Sequence, residues 1–316
     1  MALLLITTAL IAISVAYFNC VAFRVVQIVA SRRDIGRSLR SPNGPPQLNL
    51  RLTSAIVSLA MFTGLAGNAD AQQPGPWKVA ERHGDAELYS EVAVDTRRIW
   101  AEMDQLTEEL DKTVSVQPNG KPIQIVIYAS QQSYLRKLAT QIPQARNRKA
   151  IYYRNGDVSQ VYVWNSRSLI TDLRHEMTHV ILHQHLPFLP LWIDEGLAEF
   201  FEETPAERTS SARISAVKWK ARMGANPSLG DLESLPAAEE MDADAYRNSW
   251  AWCSFLLNES DESQKLLKDY LEQIHRGEAP GALSRYAQAN NPGLLMRANS
   301  YFRKMTVRII SDSSRQ

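Results

Sequence analysis

The stretch 174–203, RHEMTHVILHQHLPFLPLWIDEGLAEFFEE, concentrates residues able to do chemistry. His175 and His179 stand at i and i+4. On a helix they lie about 40° apart in azimuth and one turn apart along the axis, so both imidazoles can reach one ion. Glu176 projects about 100° away from His175, too far round to share that ion comfortably but able to hydrogen-bond a water on it. Zinc fits such a donor set. It lowers the pKa of bound water towards ~7, where a neighbouring carboxylate can accept the proton.

The third ligand has two claimants. After Pro187 and Pro190, Glu195, Glu199 and Glu202 fall on one face of a second helical pattern. Carboxylates on the core-facing border of a helix need a partner, because burying them alone is costly. Gly196 would let this helix and the histidine helix cross closely. His185, six residues beyond His179, is the rival. With no glycine to break the helix it lies roughly 240° round from His179, so Glu195 is preferred. His183 continues the His179 face too far along the axis and reads as a surface or supporting residue. His83 and His275 have no motif around them and read as surface residues.

HEMTH followed by DEGLAEFF resembles the gluzincin metallopeptidases, and most of all bacterial envelope proteins of the peptidase MA-like group. The resemblance covers about 30 residues. It implies a zincin-like fold, a Zn2+ ion on His175, His179 and Glu195, and Glu176 as general base. It also implies that Glu199 orients a ligand histidine through its other ring nitrogen. The activity implied is hydrolysis of peptide bonds in a peptide or protein substrate. Such hydrolysis needs an oxyanion donor, and Tyr246, in the aromatic stretch 242–257, is the candidate. An extended peptide would pair with the strand at 159–165, just before the histidine helix.

The elements that must position these residues are legible in outline. Alternation marks a strand at 86–94. Apolar spacing marks a helix at 96–114. A β-rich run covers 121–129, and a helix capped by Ser130 covers 130–142. Residues 150–164 read as a hairpin turning at Asn155-Gly156. The histidine helix runs from about 167 to 185, burying Leu169, Leu173, Met177, Val180 and Ile181. The second helix runs from Pro190 to before Thr204, and further helices are expected at 209–223, 243–258, 261–275 and 293–308. This is an α+β domain, a small mixed sheet followed by the motif helix and a mainly helical C-terminal half.

The chain has 316 residues and a net charge of +1, unevenly spread. Arg24, Arg32, Arg33, Arg37, Arg40 and Arg51 against Asp34 and Asp70 make residues 1–71 basic, and the remainder carries −3. A mildly acidic globular part argues against nucleic acid as the main partner. Cys20 and Cys253 are too few and too far apart for a disulfide framework, and Cys253 reads as a buried small residue. Residues 2–23 are uncharged and long enough to span a bilayer. Residues 51–71 resemble a signal peptide ending in Ala69-Asp70-Ala71, which implies either a second membrane pass there or a translation start downstream of Met1. The expected organisation is therefore a hydrophobic and basic segment at 1–50, a signal-like segment at 51–71, and a metallopeptidase-like domain at 72–316 outside the cytoplasm. Membrane association would run through the N-terminal segment.

Two other readings fit the same residues. One is an envelope binding or scaffold protein that retains the fold without turnover. The other is a zinc amidase acting on cell-wall material. The basic stretch 136–154 offers the latter some support, with six basic residues and no acidic one. Cleavage specificity and oligomeric state are not legible.

Overall fold

Strand periodicity accounts for the sheet. The computed structural model describes residues 77–307 other than Pro236. The span and signal-like segments at 2–23 and 51–71 lie outside the described residues. Strands β1 (Val79–His83), β2 (Ala86–Ser90), β3 (Ile123–Tyr128), β4 (Ala150–Asn155) and β5 (Val158–Trp164) form one sheet in the order β1-β2-β3-β5-β4. The two outer pairs are antiparallel, and β2-β3 and β3-β5 are parallel. Along β3, Ile125 and Ile127 face the main core while Val126 and Tyr128 face the opposite side, the alternation a pleated strand imposes.

Helix α1 (Thr96–Val114) and helix α3 (Leu169–His185) join the main core, and Ile99, Leu106, Leu173 and Val180 supply much of it. Helix α2 (Gln131–Leu138) and a short 3-10 turn (Pro143–Asn147) cover the other face through Tyr134, Leu138 and Ile142. The C-terminal half is helical. It comprises α4 (Leu191–Phe201), α5 (Pro205–Thr209), α6 (Ala212–Arg222), α7 (Leu229–Glu233), α8 (Ala243–Asn258), α9 (Asp261–His275), α10 (Leu283–Asn290) and α11 (Leu294–Lys304). The molecule is thus mixed α+β. No helix among the described residues is long and apolar enough to cross a membrane.

Two expectations are corrected. The strand at 159–165 does not lie at the sheet edge. It is β5, hydrogen-bonded on both sides, and the edge next to it is β4, with β1 at the far edge. Residues 150–164 do form the expected hairpin, with Gly156 at its turn in the left-handed region, but the returning strand inserts beside β3. Gly196 does not serve the approach of α4 to α3. A Cβ there would stand 2.6 Å from both the Ser249 carbonyl oxygen and Cys253 Sγ, so the close approach is to α8. Cys253 is fully buried and free, and burial pushes its thiol pKa up.

Buried charge fixes α3. Arg174 is wholly inaccessible. Its Nε donates to the Phe201 carbonyl at the end of α4 (3.0 Å), and its Nη1 donates to the Glu102 carboxylate on α1 (3.2 Å). Arg208 and Arg174 share Glu109. A buried guanidinium is tolerable only with such partners, and this one ties α1, α3 and α4 together one residue before His175. Pro187, with no N–H to donate, follows the last residue of the α3 ladder, and Pro190 lets α4 begin.

Gly196→Ala should destabilise the protein by about 1–3 kcal/mol, because the added methyl meets backbone that cannot yield. Urea unfolding of this variant beside wild type measures the loss, and an unchanged midpoint would contradict the α4–α8 contact.

Candidate metal centre

Helices α3 and α4 bring three donors to one point. Nε2 of His175 and Nε2 of His179 each lie 3.7 Å from Oε2 of Glu195. All three ligand atoms fall within 4.8 Å of one another. Glu195 is 5% exposed, and its Oε2 is buried with no hydrogen-bond partner. An unsatisfied buried carboxylate oxygen is expensive, and a cation between it and the two imidazoles would satisfy it. The donor set, two imidazoles and one carboxylate, is one that zinc accepts.

The second nitrogen of each ring is held by a carboxylate. His175 Nδ1 donates to Glu202 Oε2 (2.9 Å), and His179 Nδ1 donates to Asp194 Oδ1 (2.8 Å). Each bond fixes a tautomer that presents Nε2 to the centre. Asp194 Oδ2 also accepts from His183 Nε2 (2.8 Å), and that ring stacks on Tyr152 of β4 at 5.6 Å. His183 therefore supports the carboxylate behind His179.

Glu199 was expected to orient a ligand histidine. In this arrangement Glu202, one turn further along, makes that bond, and Glu199 pairs with Arg213 at 2.6 Å. Arg213 also binds Glu202 (2.5 Å). Positions i+4 and i+7 from Glu195 lie on the same face, and Arg213 of α6 binds both carboxylates, so what separates them is that Glu202 alone reaches His175 Nδ1.

Glu176 is buried beside the centre, and its Oε2 accepts from the backbone N–H of Tyr152 (2.6 Å). Tyr152 is on the open edge strand, so an outward-facing amide there fixes the carboxylate. A cleft of ≈ 550 Å³ opens over the centre, with Arg148, Lys149, Glu199 and Tyr246 in its wall. An adjoining arm beyond Glu176 and Glu195 is lined by Ile142, Ile151, Tyr152 and Tyr153.

Arg148 was not singled out from the sequence, although it belongs to the acid-free stretch 136–154. It borders both arms. Burial works against its charge, but Tyr246, Glu195 and Glu176 outweigh that, and its pKa is raised. Burial and Glu195 raise the Tyr246 hydroxyl, so it stays protonated as a donor.

His185 is not part of the centre. Its ring stacks on His275 at 4.2 Å, and its Nδ1 lies 3.1 Å from the Gln117 carbonyl oxygen. His275 in turn contacts the His185 carbonyl (2.9 Å), and His83 pairs with Asp104. Among the described residues, His175, His179, Glu195, Glu176 and Tyr246 are assembled at one cleft and His185 is elsewhere.

A scan against protein-family models finds no match for this chain, and a search of curated proteins finds none.

Burial lowers the affinity of His179 for a proton, but the facing Asp194 carboxylate, with Glu195 and Glu176 behind it, reverses this and lifts its pKa from 6.5 to about 10. The folded value is above the unfolded one, so in zinc-free protein the charged pair stabilises fully below about pH 6.5 and is lost as pH rises through 10. Urea midpoints of chelator-treated protein should therefore fall between pH 6.5 and 10. Asp194→Asn should flatten that fall, and parallel profiles would exclude the pair as its source.

Proposed function

We propose that this chain is an exported zinc metallopeptidase of gluzincin type, with the zincin-like fold that the motif resemblance implies. The observation carrying the reading is the partnerless Oε2 of Glu195, buried at equal distance from two Nε2 atoms whose other nitrogens are held by carboxylates. His175, His179 and Glu195 would hold the ion, which when bound supplies Lewis acidity for a substrate carbonyl and for water.

The chain's own groups do the rest. Glu176 stands with Oε2 on the Tyr152 amide and its other oxygen available. It takes a proton from the attacking water and returns it to the leaving nitrogen. Arg148 and Tyr246 border the same cleft and donate hydrogen bonds to the oxygen on which negative charge develops. An extended peptide adds to the open edge of β4, whose outward backbone groups beside Tyr152 can pair with it. The adjoining arm, where Ile142, Ile151 and Tyr153 stand beside Gln144, Arg148 and His183, would take a side chain of that peptide.

A zinc amidase acting on wall material remains the second reading. It draws on Arg148 and Lys149, which place two cations in the cleft wall where an anionic polymer could lie.

Metal analysis of the purified protein is the first test. About one zinc per chain is expected, lost in Glu195→Gln and kept in His185→Gln. Loss in His185→Gln alone would overturn the ligand set, and no zinc in wild type supplied with it would overturn the assignment. Glu176→Gln should keep the metal and lose turnover by about 10²–10⁴-fold. Zinc without turnover on peptides or wall fragments would favour a non-catalytic binding protein.

Arg148→Met should lower kcat on the best peptide by about 10²–10³-fold, the usual effect of removing an oxyanion donor, with metal content unchanged. A rise in KM alone would assign Arg148 to substrate binding instead.

A further inference from the structure

Helices α6 and α11 pack on each other in the C-terminal half. Neither Ala212–Arg222 nor Leu294–Lys304 contains an aspartate or glutamate. Their inner faces are apolar and buried, through Val217 and Ala221 on α6 and Leu294, Ala298 and Phe302 on α11. Their outer faces are unusual. Trp219 is 66% exposed, Met223 71% and Met296 82%, more than any other large apolar side chain among the described residues. One exposed apolar residue is ordinary. Trp219 on α6, Met223 at its C-terminal cap and Met296 on the neighbouring α11 are three within one pair of packed segments, and they need a reason.

The cations around them are of two kinds. Arg213, Lys220 and Arg297 are committed to Glu199 and Glu202, to Asp244, and to Glu259. Lys218, Arg222, Arg303 and Lys304 have no ion-pair partner among the described residues. Position 219 on α6, position 223 at its C-terminal cap, and positions 296 and 303 on α11 stand about half a turn away from the buried stripes. The two outer faces and their flanks therefore combine apolar tips with positive charge that has no acidic partner among the described residues.

We propose that this face docks on an anionic lipid surface. Indole rings settle at the headgroup level of a bilayer, and methionine side chains can enter the acyl boundary beside them. Lysine and arginine lay their stems along that apolar layer while their heads meet lipid phosphates. A nucleic acid would account for the cations but not for the two exposed methionines. A second copy of the chain would account for the apolar tips but would bring like charges together.

Trp219 makes the test direct. The chain has seven tryptophans, none before Trp77, and Trp219 is the most exposed. The full chain would be reconstituted in bilayers whose acyl chains carry bromine, a short-range quencher. Anionic phosphatidylglycerol should quench a component of the fluorescence that neutral phosphatidylcholine does not. That component should vanish in Trp219→Phe. It should also vanish in a variant with Lys218, Arg222, Arg303 and Lys304 changed to Gln, with an unchanged circular dichroism spectrum and melting midpoint. Equal quenching by the two lipids, or quenching that survives in Trp219→Phe, would overturn the proposal. So would a Trp219→Ala-sensitive oligomer seen by sedimentation in detergent, or tight binding of a single-stranded oligonucleotide that displaces the lipid.

Discussion

A carboxylate oxygen buried beside two imidazoles, with nothing to bond, sets the terms for the rest of this molecule. Glu195 Oε2 is tolerable only if the groups around it are fixed, since freedom there would admit collapse onto the wrong partner. The fixing runs outward in shells. Asp194 and Glu202 hold the two rings from behind. His183 and Arg213 hold those carboxylates in turn. Arg174, adjacent to His175, ties the helix beneath to the end of α4. From Glu195 through Asp194 and Glu202 to His183 and Arg213 the charges become progressively less buried, which spreads the cost towards solvent, while the inaccessible Arg174 relies on its own carboxylate and carbonyl partners.

A second constraint is steric. Because position 196 has no side chain, α4 can lie against the backbone of α8 at Ser249. Tyr246, Ser249 and Cys253 recur at helical spacing on α8, so the face touching Gly196 continues into the face that carries Tyr246 to the cleft wall. The glycine beside Glu195 therefore governs how near the α8 hydroxyl comes to the centre, although it touches no substrate.

The parts of this arrangement readable from sequence are those set by local periodicity. His175 and His179 at i and i+4 could meet on one helix face, and Glu195 could face them only across a break, which the prolines provide. Helices α1 and α9 were legible because each carries a strong apolar stripe, and α3, α4 and α8, buried nearly all round, were legible from their long apolar runs and the prolines or polar residues that bound them. Strand β1 was not, because four of its five residues are exposed and no alternation remains. The edge strand was misplaced because hairpin order along the chain does not say which member inserts beside β3. Glu202 could not be chosen over Glu199, since both share a face and periodicity does not say which carboxylate reaches the His175 ring. Arg148 was hidden among six cations of one run until the 3-10 turn placed it over Glu176 and Glu195.

The charges of the centre point to a cation more strongly than any one distance does. Glu176, Asp194, Glu195, Glu199 and Glu202 gather around it, and Arg148 and Arg213 oppose them. With neutral imidazoles the balance is negative, and this is the form in which Nε2 can bind metal. Protons correct the deficit in one way. They settle on His175 and His179, whose pKa values are raised although burial works against it. A divalent ion at Glu195 corrects it in another, and the two corrections exclude each other because both need the same ring nitrogens. The raised histidine pKa values and the partnerless carboxylate oxygen are thus two signs of one design, a pocket whose charge is complete only when something positive occupies it.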